Sequence, residues 1–332
     1  MKILITGAAG FMGKHLVKSL SQNKTYKIRC LLMRNTKKTD IDFLKNYNVE
    51  IIYGDIFEKK SLEKAMKNIE AVFHLAGGGK VETTFKKGFE DLKKLNIGTT
   101  ERVINSAIKH KVKKFVHFSS ISAMGIIIEK KLDENSECKP ETPHEVCKYE
   151  TEKIMEKNKK KILITIIRPG IVYGPYGLNS EILQLAKLLE KHFFIIPGNG
   201  KNIMPWIYVG DIVRATILAF KKNKKSCERF IVVSEPQPSF NELIDSIDSS
   251  MKKKAVILHM PKSIFIFAGY LFEKLGNLFN FAPLINSVRA RSMTSNRIYN
   301  IDKIKKLGYK QENNLQDSIK KTINWYKKNA YI

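Results

Sequence analysis

The sequence predicts an α/β protein built on a doubly wound parallel sheet, with a smaller, discontinuous and mostly helical C-terminal lobe. A glycine-rich turn at residues 7–13 separates the first apolar run from the first amphipathic helix. Apolar runs then alternate with helical patterns through the first half of the chain, as repeated βα units do. After Pro169-Gly170 the chain becomes irregular and rich in glycine and proline, which predicts a discontinuous second lobe.

The N-terminal turn predicts a dinucleotide site of the Rossmann type. Lys2–Thr6 has the pattern of a strand. Three glycines follow it at a spacing of three: Gly7, Gly10 and Gly13. The first permits a tight turn, the second lets the backbone approach a pyrophosphate, and the third allows the helix to pack closely on the strand. We therefore expect Phe11 and Met12, at the positive end of that helix, to contact the cofactor.

The later elements follow from the same two periodicities. Strands are predicted at residues 2–6, 28–33, 49–53, 71–75, 115–119 and 162–167, and helices begin near Phe11, Ser61, Phe89 and His144. We expect residues 1–174 to form the nucleotide-binding domain, whose sheet also receives about 205–235. Residues 175–204 and 236–330 should form the substrate-binding lobe, with a pocket between it and the carboxyl ends of the strands.

Charge and cysteine usage exclude several classes of protein. The 332 residues include Lys+Arg 59 against Asp+Glu 32, a formal net charge of +27, yet the lysines are scattered over nearly every helix. This pattern predicts a solvated surface and no nucleic-acid partner. The four cysteines and the dispersed histidines lack metal-ligand spacing, so no metal is predicted. Without a signal peptide or a disulfide framework, a cytoplasmic location is expected.

One apolar stretch, residues 263–281, bears on membrane contact. Its charges at Glu273 and Lys274, with Asn277 and Asn280, interrupt it well short of the roughly 20 residues that a spanning helix needs. The pattern favours a buried or pocket-capping helix and no stable membrane insertion. Peripheral contact with a membrane is the alternative.

Further segments, in order along the chain, resemble the extended short-chain dehydrogenase/reductase family. They are Gly54-Asp55-Ile56, His74-Leu75-Ala76-Gly77, Asn96-Ile97-Gly98-Thr99, Phe118-Ser119-Ser120, Arg168-Pro169-Gly170-Ile171-Val172-Tyr173 and Tyr208-Val209-Gly210-Asp211. The family includes nucleotide-sugar epimerases and dehydratases, and also hydroxysteroid and dihydroflavonol reductases. The resemblance implies cofactor contacts at Asp55, Ile56, Leu75, Ala76, Gly77, Asn96, Pro169, Gly170 and Val172. It implies that Ser120 touches the reacting oxygen.

The resemblance fails at one position that carries chemistry. The family places a proton-transferring Tyr four residues before a Lys, and here the segment is Pro143-His144-Glu145-Val146-Cys147-Lys148-Tyr149. Lys148 matches the family lysine, which holds the ribose, but His144 stands where the Tyr belongs. A spacing of four puts both on one helix face, whereas Tyr149 lies ~100° around the helix and cannot replace the Tyr.

Two roles for His144 remain open. Neutral imidazole can accept a proton during alcohol oxidation, so His144 either transfers the proton or only lines the site. In the second case the missing hydroxyl comes from Ser120, Thr83, Thr84 or Tyr173.

The choice of cofactor depends on the end of the second strand. An acid there would bond the ribose 2′-OH of NAD, and a basic residue would suit the 2′-phosphate of NADP. Residues 28–38 contain no acid before Asp40, and Arg34 is placed to stack on adenine or to pair with a phosphate. Arg34 is otherwise a plain surface charge. The expected cofactor is NADP or NAD, with NADP favoured.

The leading prediction is an NAD(P)-dependent epimerase, dehydratase or reductase that transfers hydride on a nucleotide-activated sugar. Residues 200–207 lack the Arg-Asp-Phe that many sugar epimerases carry there. An apolar-ketone reductase of the hydroxysteroid or dihydroflavonol type is the alternative, its pocket lined by residues 264–272 and 279–281. A cofactor-binding protein that has lost turnover and acts as a sensor or partner is a third possibility, because of His144. By analogy with the family, a homodimer through residues 89–110 and 144–158 is expected.

Overall fold

The computed structural model describes residues 1–78, 86–127, 130–252, 255–279 and 286–332. Its strands are β1 (Lys2–Thr6), β2 (Lys27–Leu32), β3 (Glu50–Tyr53), β4 (Ala71–His74), β5 (Lys114–Phe118), β6 (Lys131–Leu132), β7 (Leu163–Pro169), β8 (Ile171–Tyr173), β9 (Phe193–Pro197), β10 (Trp206–Tyr208), β11 (Cys227–Val232), β12 (Val256–Met260) and β13 (Ile298–Tyr299). The six strands predicted from the apolar runs are β1, β2, β3, β4, β5 and β7, and each is confirmed within two residues of the expected bounds.

Helices lie between most of these strands. They are α1 (Phe11–Leu20), α2 (Lys38–Lys45), α3 (Lys59–Met66), α4 (Lys86–Lys93), α5 (Thr99–Lys109), α6 (Pro143–Asn158), α7 (Glu181–Leu189), α8 (Val209–Lys222), α9 (Phe240–Met251), α10 (Lys262–Phe279), α11 (Ser287–Met293), α12 (Asp302–Lys306) and α13 (Leu315–Lys328). A π-helical turn, Lys94–Gly98, joins α4 to α5, and a 3₁₀ turn, Ile121–Met124, follows β5.

The main sheet confirms the predicted fold class. Within the described residues it has seven parallel strands in the order β11-β7-β5-β4-β1-β2-β3. Ile3, Leu4 and Ile5 of β1 are fully buried, as expected for a central strand covered by helices on both faces. The strand order reverses between β1 and β4, so the crevice at the carboxyl ends of these two strands is where such sheets bind ligands.

The chain returns to this sheet late. Strand β11 pairs with β7 along its whole length, which places part of the 205–235 segment in the sheet as expected. Strand β10 instead pairs with β8 outside it, matching Trp206 to Ile171 and Tyr208 to Tyr173. The exact division into two domains stays a prediction.

A second hydrophobic core lies in the C-terminal half. Helices α7, α9 and α13 bury their apolar sides against one another and against Trp206 and Tyr173. The polar faces of these helices remain in solvent, as the amphipathic patterns require. This lobe stands at the carboxyl end of β7, so it forms one side of the crevice.

Helix α10 departs from its predicted environment. It was expected to be buried or to cap a pocket, and its residues 264–272 to line one. Ile264, Phe267, Tyr270, Leu271 and Phe272 are instead exposed to solvent. The helix is covered on its other side, where a Cβ on Gly269 would lie 2.9 Å from the Cβ of Ala290 in α11. No helix among the described residues is long and apolar enough to cross a membrane.

Candidate active site

The glycine turn after β1 has the geometry of a phosphate cradle. Gly7 has φ of +75°, and a Cβ on Gly13 would lie 2.1 Å from the carbonyl oxygen of Gly7, so this close approach excludes any side chain. Gly10 is the N-cap of α1 and no side chain caps the helix. The N–H groups of Phe11 and Met12 therefore begin an uncapped helix, whose positive end suits a pyrophosphate. These residues fit a dinucleotide.

Asn96 holds the segment that follows β4. Its Nδ2 donates to the carbonyl oxygens of Gly78 (2.8 Å) and Leu92 (2.9 Å), while its Oδ1 accepts from Gly78 N at 3.3 Å. Gly77 packs on the same amide, because a Cβ there would lie 3.1 Å from Asn96 Oδ1. The buried amide therefore holds Gly77 and Gly78, which follow Leu75 and Ala76 at the end of β4. A direct cofactor contact by Asn96 stays a prediction.

The ends of β2 and β3 carry the residues that the family resemblance predicts to contact adenine. Asp55 Oδ1 accepts a hydrogen bond from Phe57 N at 2.9 Å. This bond turns the chain after β3, with Ile56 at the turn. Arg34 is exposed two residues beyond β2. Asp40, the first acid after β2, is bonded to Lys14 Nζ at 2.6 Å. Arg34 is the first charged residue after β2, and the first acid, Asp40, is already paired with a lysine.

Helix α6 presents the residues with the strongest chemical interest. Its start is fixed by Pro143 and by a capping box between Thr142 and Glu145. His144 lies in the first turn, and among the described residues nothing hydrogen-bonds to its buried Nδ1. Burial and the charge of Lys148 lower the pKa of His144 to about 4. The imidazole is therefore neutral near pH 7 and can accept a proton.

Lys148 stands one turn further along and is itself desolvated. Burial lowers its pKa. Burial of the ring and the Lys148 charge lower the pKa of His117 to about 3. Burial, His117 and Lys148 together lower the pKa of His74 well below its ordinary value. His74 Nδ1 bonds Thr6 Oγ1 at 2.8 Å, so these rings lie beneath the ends of the central strands. The Lys148 charge therefore acts on two rings in β4 and β5, the strands beside the point where the sheet order reverses.

A buried ion network, which the sequence pattern alone does not predict, supports α6. Glu152, one turn beyond Lys148, accepts from Arg168 Nε at 2.9 Å and Nη2 at 2.7 Å, from Ser119 Oγ at 2.5 Å and from Arg229 Nε at 3.0 Å. Burial opposes ionisation of Glu152, but the Arg168 hydrogen bonds, the Ser119 hydroxyl and Arg229 outweigh it and lower the pKa. The spacing of four from Lys148 places Glu152 on the same side of α6.

The candidate hydroxyls are placed differently. Ser120 accepts from Ser122 N and donates to Ser122 Oγ, both at 3.1 Å, at the start of the 3₁₀ turn that packs against α6. Tyr173 is buried and its hydroxyl is bonded to Ser318 Oγ at 2.7 Å. Tyr173 was therefore a wrong candidate for the missing hydroxyl, because its oxygen is committed inside the C-terminal lobe. Thr83 and Thr84 lie outside the described residues, as does Phe281.

Tyr149 points away from the crevice. Its ring lies under Lys153 Nζ at 4.5 Å, and it lines a separate cavity of 420 Å³ together with Cys138 and Arg229. The expectation that Tyr149 cannot take the place of the family Tyr is consistent with this position.

The segment after β7 approaches the glycine turn. A Cβ on Gly170 would lie 2.0 Å from the carbonyl oxygen of Pro205, so Pro169 and Gly170 pass tightly beside β10. Val172 pairs with Ile207 in register. Further on, the Pro175 carbonyl bonds His15 Nε2 of α1 at 2.9 Å. The two loops therefore meet, and the crevice is bordered by α1, α6 and residues 169–177.

Comparison with known families decides what this arrangement is. The model of the NAD dependent epimerase/dehydratase family matches residues 3–233. The chain belongs to this family. The resemblance drawn from the motifs is thereby confirmed, and the family is one of NAD-dependent enzymes.

Individual relatives align over nearly the whole chain. N-acetyl-alpha-D-glucosaminyl-diphospho-ditrans,octacis-undecaprenol 4-epimerase from Escherichia coli is 23% identical over 97% of this chain and 94% of its own length. Human dTDP-D-glucose 4,6-dehydratase is 23% identical over 99% and 91%. The crystal structure of UDP-glucuronic acid 4-epimerase from Bacillus cereus with UDP-glucuronic acid and NAD superposes with a TM-score of 0.79 at 24% identity, covering 99% of both chains. That likeness confirms the fold.

Proposed function

We propose that this family member is an epimerase or dehydratase that acts on a sugar joined through a diphosphate to a nucleotide. The observation that carries the proposal is the pairing of a side-chain-free phosphate cradle at Gly7 and Gly13 with a neutral His144 and a desolvated Lys148 on α6. Binding, proton transfer and ribose contact would thus be available in one crevice. The relatives named above, which act on diphosphate-linked sugars by their names, support the substrate class.

The residues that would hold the cofactor follow from the strand ends. Phe11 and Met12 would bind the pyrophosphate, Asp55 and Ile56 the adenine, and Lys148 the ribose, while Pro169, Gly170 and Val172 would border the nicotinamide. When bound, the nicotinamide accepts hydride from a sugar carbon and can return it. His144 would accept the proton of the sugar hydroxyl, and Ser120 would orient that oxygen.

Direct turnover assays test the proposal. We expect purified chain supplied with NAD to convert a UDP- or dTDP-hexose to its 4-epimer or 4-keto-6-deoxy product, followed by NMR of the sugar. Lys148→Met should lose this activity, whereas Lys153→Met, exposed on the same helix, should keep it. If apolar ketones are reduced and sugar nucleotides are untouched, the alternative ketone reductase is the correct class. Cofactor binding without any turnover would instead favour a sensor or partner.

A sugar diphosphate carried on a polyprenol is a second candidate substrate. The exposed apolar side of α10 favours it, since a lipid-linked sugar must be reached at a membrane. The undecaprenol-linked substrate in the name of the Escherichia coli relative agrees with this possibility. The same NMR assay with a short-chain polyprenol-diphosphate sugar separates the two carriers.

We also propose that NADP binds at least as well as NAD, on the strength of Arg34. Its guanidinium is exposed beside the expected 2′ position, and Asp40 is bonded to Lys14 rather than free for a ribose. Arg34→Ala should weaken NADP binding about tenfold, the loss of one charge-assisted contact of ~1.4 kcal/mol, and leave NAD binding unchanged. Calorimetric titration of both cofactors measures this. If Arg34→Ala weakens the binding of NAD and NADP equally, Arg34 stacks on adenine. If it weakens the binding of neither cofactor, Arg34 is a surface charge.

The proposal includes a location and an assembly state. We expect a cytoplasmic location, where free thiols such as the four cysteines stay reduced. Helices α5 and α6 pack side by side, and a homodimer through their outer faces would leave the crevice open. Analytical ultracentrifugation would measure the assembly directly.

A further inference from the structure

The outward side of α10 is apolar, the reverse of an ordinary surface helix. Ile264, Phe267, Leu271 and Leu278 are 53%, 65%, 47% and 73% exposed. Their spacing of three, four and seven places them along one helix face. The glycine side of the helix faces the protein, with Gly269 against α11. A soluble monomer rarely presents such a stripe to water without a use for it.

The strand pair that precedes α10 in the chain is also apolar on its exposed side. Strands β9 and β12 pair in register, with Phe193 opposite Val256 and Ile195 opposite Leu258. All four side chains are exposed, while the alternate residues Phe194 and Ile196 of β9 are buried in the C-terminal core. Strand β12 runs directly into α10 through Pro261. We call the four helix residues and the four strand residues together the apolar face.

Positive charge flanks the apolar face along the chain. Exposed lysines lie before β9, after α9, at the start of α10 and within α10: Lys191, Lys252, Lys262 and Lys274. The acid within α10, Glu273, is half-buried and accepts from Ser287 N at 3.0 Å, so it does not offset them on the surface. The whole chain carries a formal charge of +27. An apolar centre with a lysine rim is complementary to anionic lipid headgroups over an acyl layer.

We propose that the apolar face docks on the surface of an anionic lipid bilayer. The large side chains of α10 enter the boundary between headgroups and acyl chains, and the lysines contact lipid phosphates. A second copy of this chain is a poorer occupant, because it would bring like-charged rims together on a strongly cationic protein. Docking is peripheral, since no described helix is able to span the membrane.

Vesicle binding tests the proposal without substrate or cofactor, so its outcome is independent of the proposed function. Full-length protein is sedimented with phosphatidylcholine vesicles that contain ~30 mol% phosphatidylglycerol as the anionic lipid. Phe267→Glu combined with Leu271→Glu should lower the partition coefficient at least tenfold. Tyr53→Glu, a similarly exposed aromatic at the far edge strand of the sheet, should leave it unchanged. Binding should weaken in high salt and on pure phosphatidylcholine.

A depth measurement gives a second readout that folding cannot mimic. In Phe267→Trp, indole fluorescence should be quenched by lipids brominated on the acyl chains when anionic vesicles are present. Failure of the parent to bind anionic vesicles overturns the proposal, as does equal binding by the double glutamate variant. A parent dimer that the glutamates dissociate, without vesicle binding, would identify the face as a contact between copies and also overturn it.

Discussion

Glu152→Ala is expected to lower the free energy of unfolding by roughly 3–5 kcal/mol, the cost of removing one partner from a buried ion pair. The side chains of Glu152 and Arg168 are 2% and 3% exposed. Without the carboxylate, Arg168 keeps a largely buried charge without its bidentate partner, and Arg229 loses its inner partner. Arg168 Nη1 already lacks a partner among the described residues, so the site has no spare acceptor. Urea denaturation followed by circular dichroism measures the change.

The matched control is one turn further along the same helix. Glu156 bonds Arg229 at 3.2 Å and also contacts Lys159, but its side chain is 37% exposed. Glu156→Ala should therefore cost less than ~1 kcal/mol, as exposed pairs do. A double variant, Glu152→Leu with Arg168→Met, should recover most of the lost stability, because neither charge then remains buried. Equal effects of the two alanine variants would mean that burial of the network does not govern its energy.

The sign of the pH dependence follows from the lowered pKa of Glu152. A carboxyl with a folded pKa below its unfolded value stabilises the fold above the unfolded pKa, and that contribution disappears as the pH falls through the folded pKa. The difference in stability between parent and Glu152→Ala should therefore be full at neutral pH and shrink in acid. This comparison isolates ionisation from packing.

Local pattern was sufficient to predict the N-terminal half of the fold. The β1 turn and α1 depend on residues that are neighbours in sequence, so the tight turn at Gly7 and the close packing at Gly13 could be predicted from spacing. Parallel strands buried on both faces also leave unbroken apolar runs, which is why the central strands were located.

What the sequence could not supply were partners distant along the chain. Tyr173 was a candidate hydroxyl until Ser318 was found bonded to it, 145 residues away. The environment of helix α10 also depends on residues that are distant in sequence. Its apolar residues indicate a face that avoids water, but tertiary structure decides what covers that face. The described chain leaves it uncovered.

His144→Ala is expected to lower kcat by a factor of ~10²–10⁴, the usual contribution of a positioned general base. The reason is the state of the imidazole: its pKa of about 4 keeps it neutral, and its Nδ1 is unpartnered among the described residues, while Lys148 lies one turn away. The rate of the parent should accordingly stay flat between pH 6 and pH 8, values roughly two units or more above that pKa. Steady-state assays with the sugar substrate measure both quantities.

His144→Tyr separates the two roles of this residue. A phenol has a reference pKa of ~10, so a Tyr at this position beside Lys148 should give a rate that rises with pH where the parent rate is flat. Tyr149→Phe, one residue along but facing the 420 Å³ cavity, should change neither rate nor pH profile. If His144→Ala keeps kcat within threefold of the parent, His144 only lines the site and another hydroxyl moves the proton. A parent without turnover that gains it in His144→Tyr would show that this substitution disabled the ancestral chemistry while the cofactor crevice was retained.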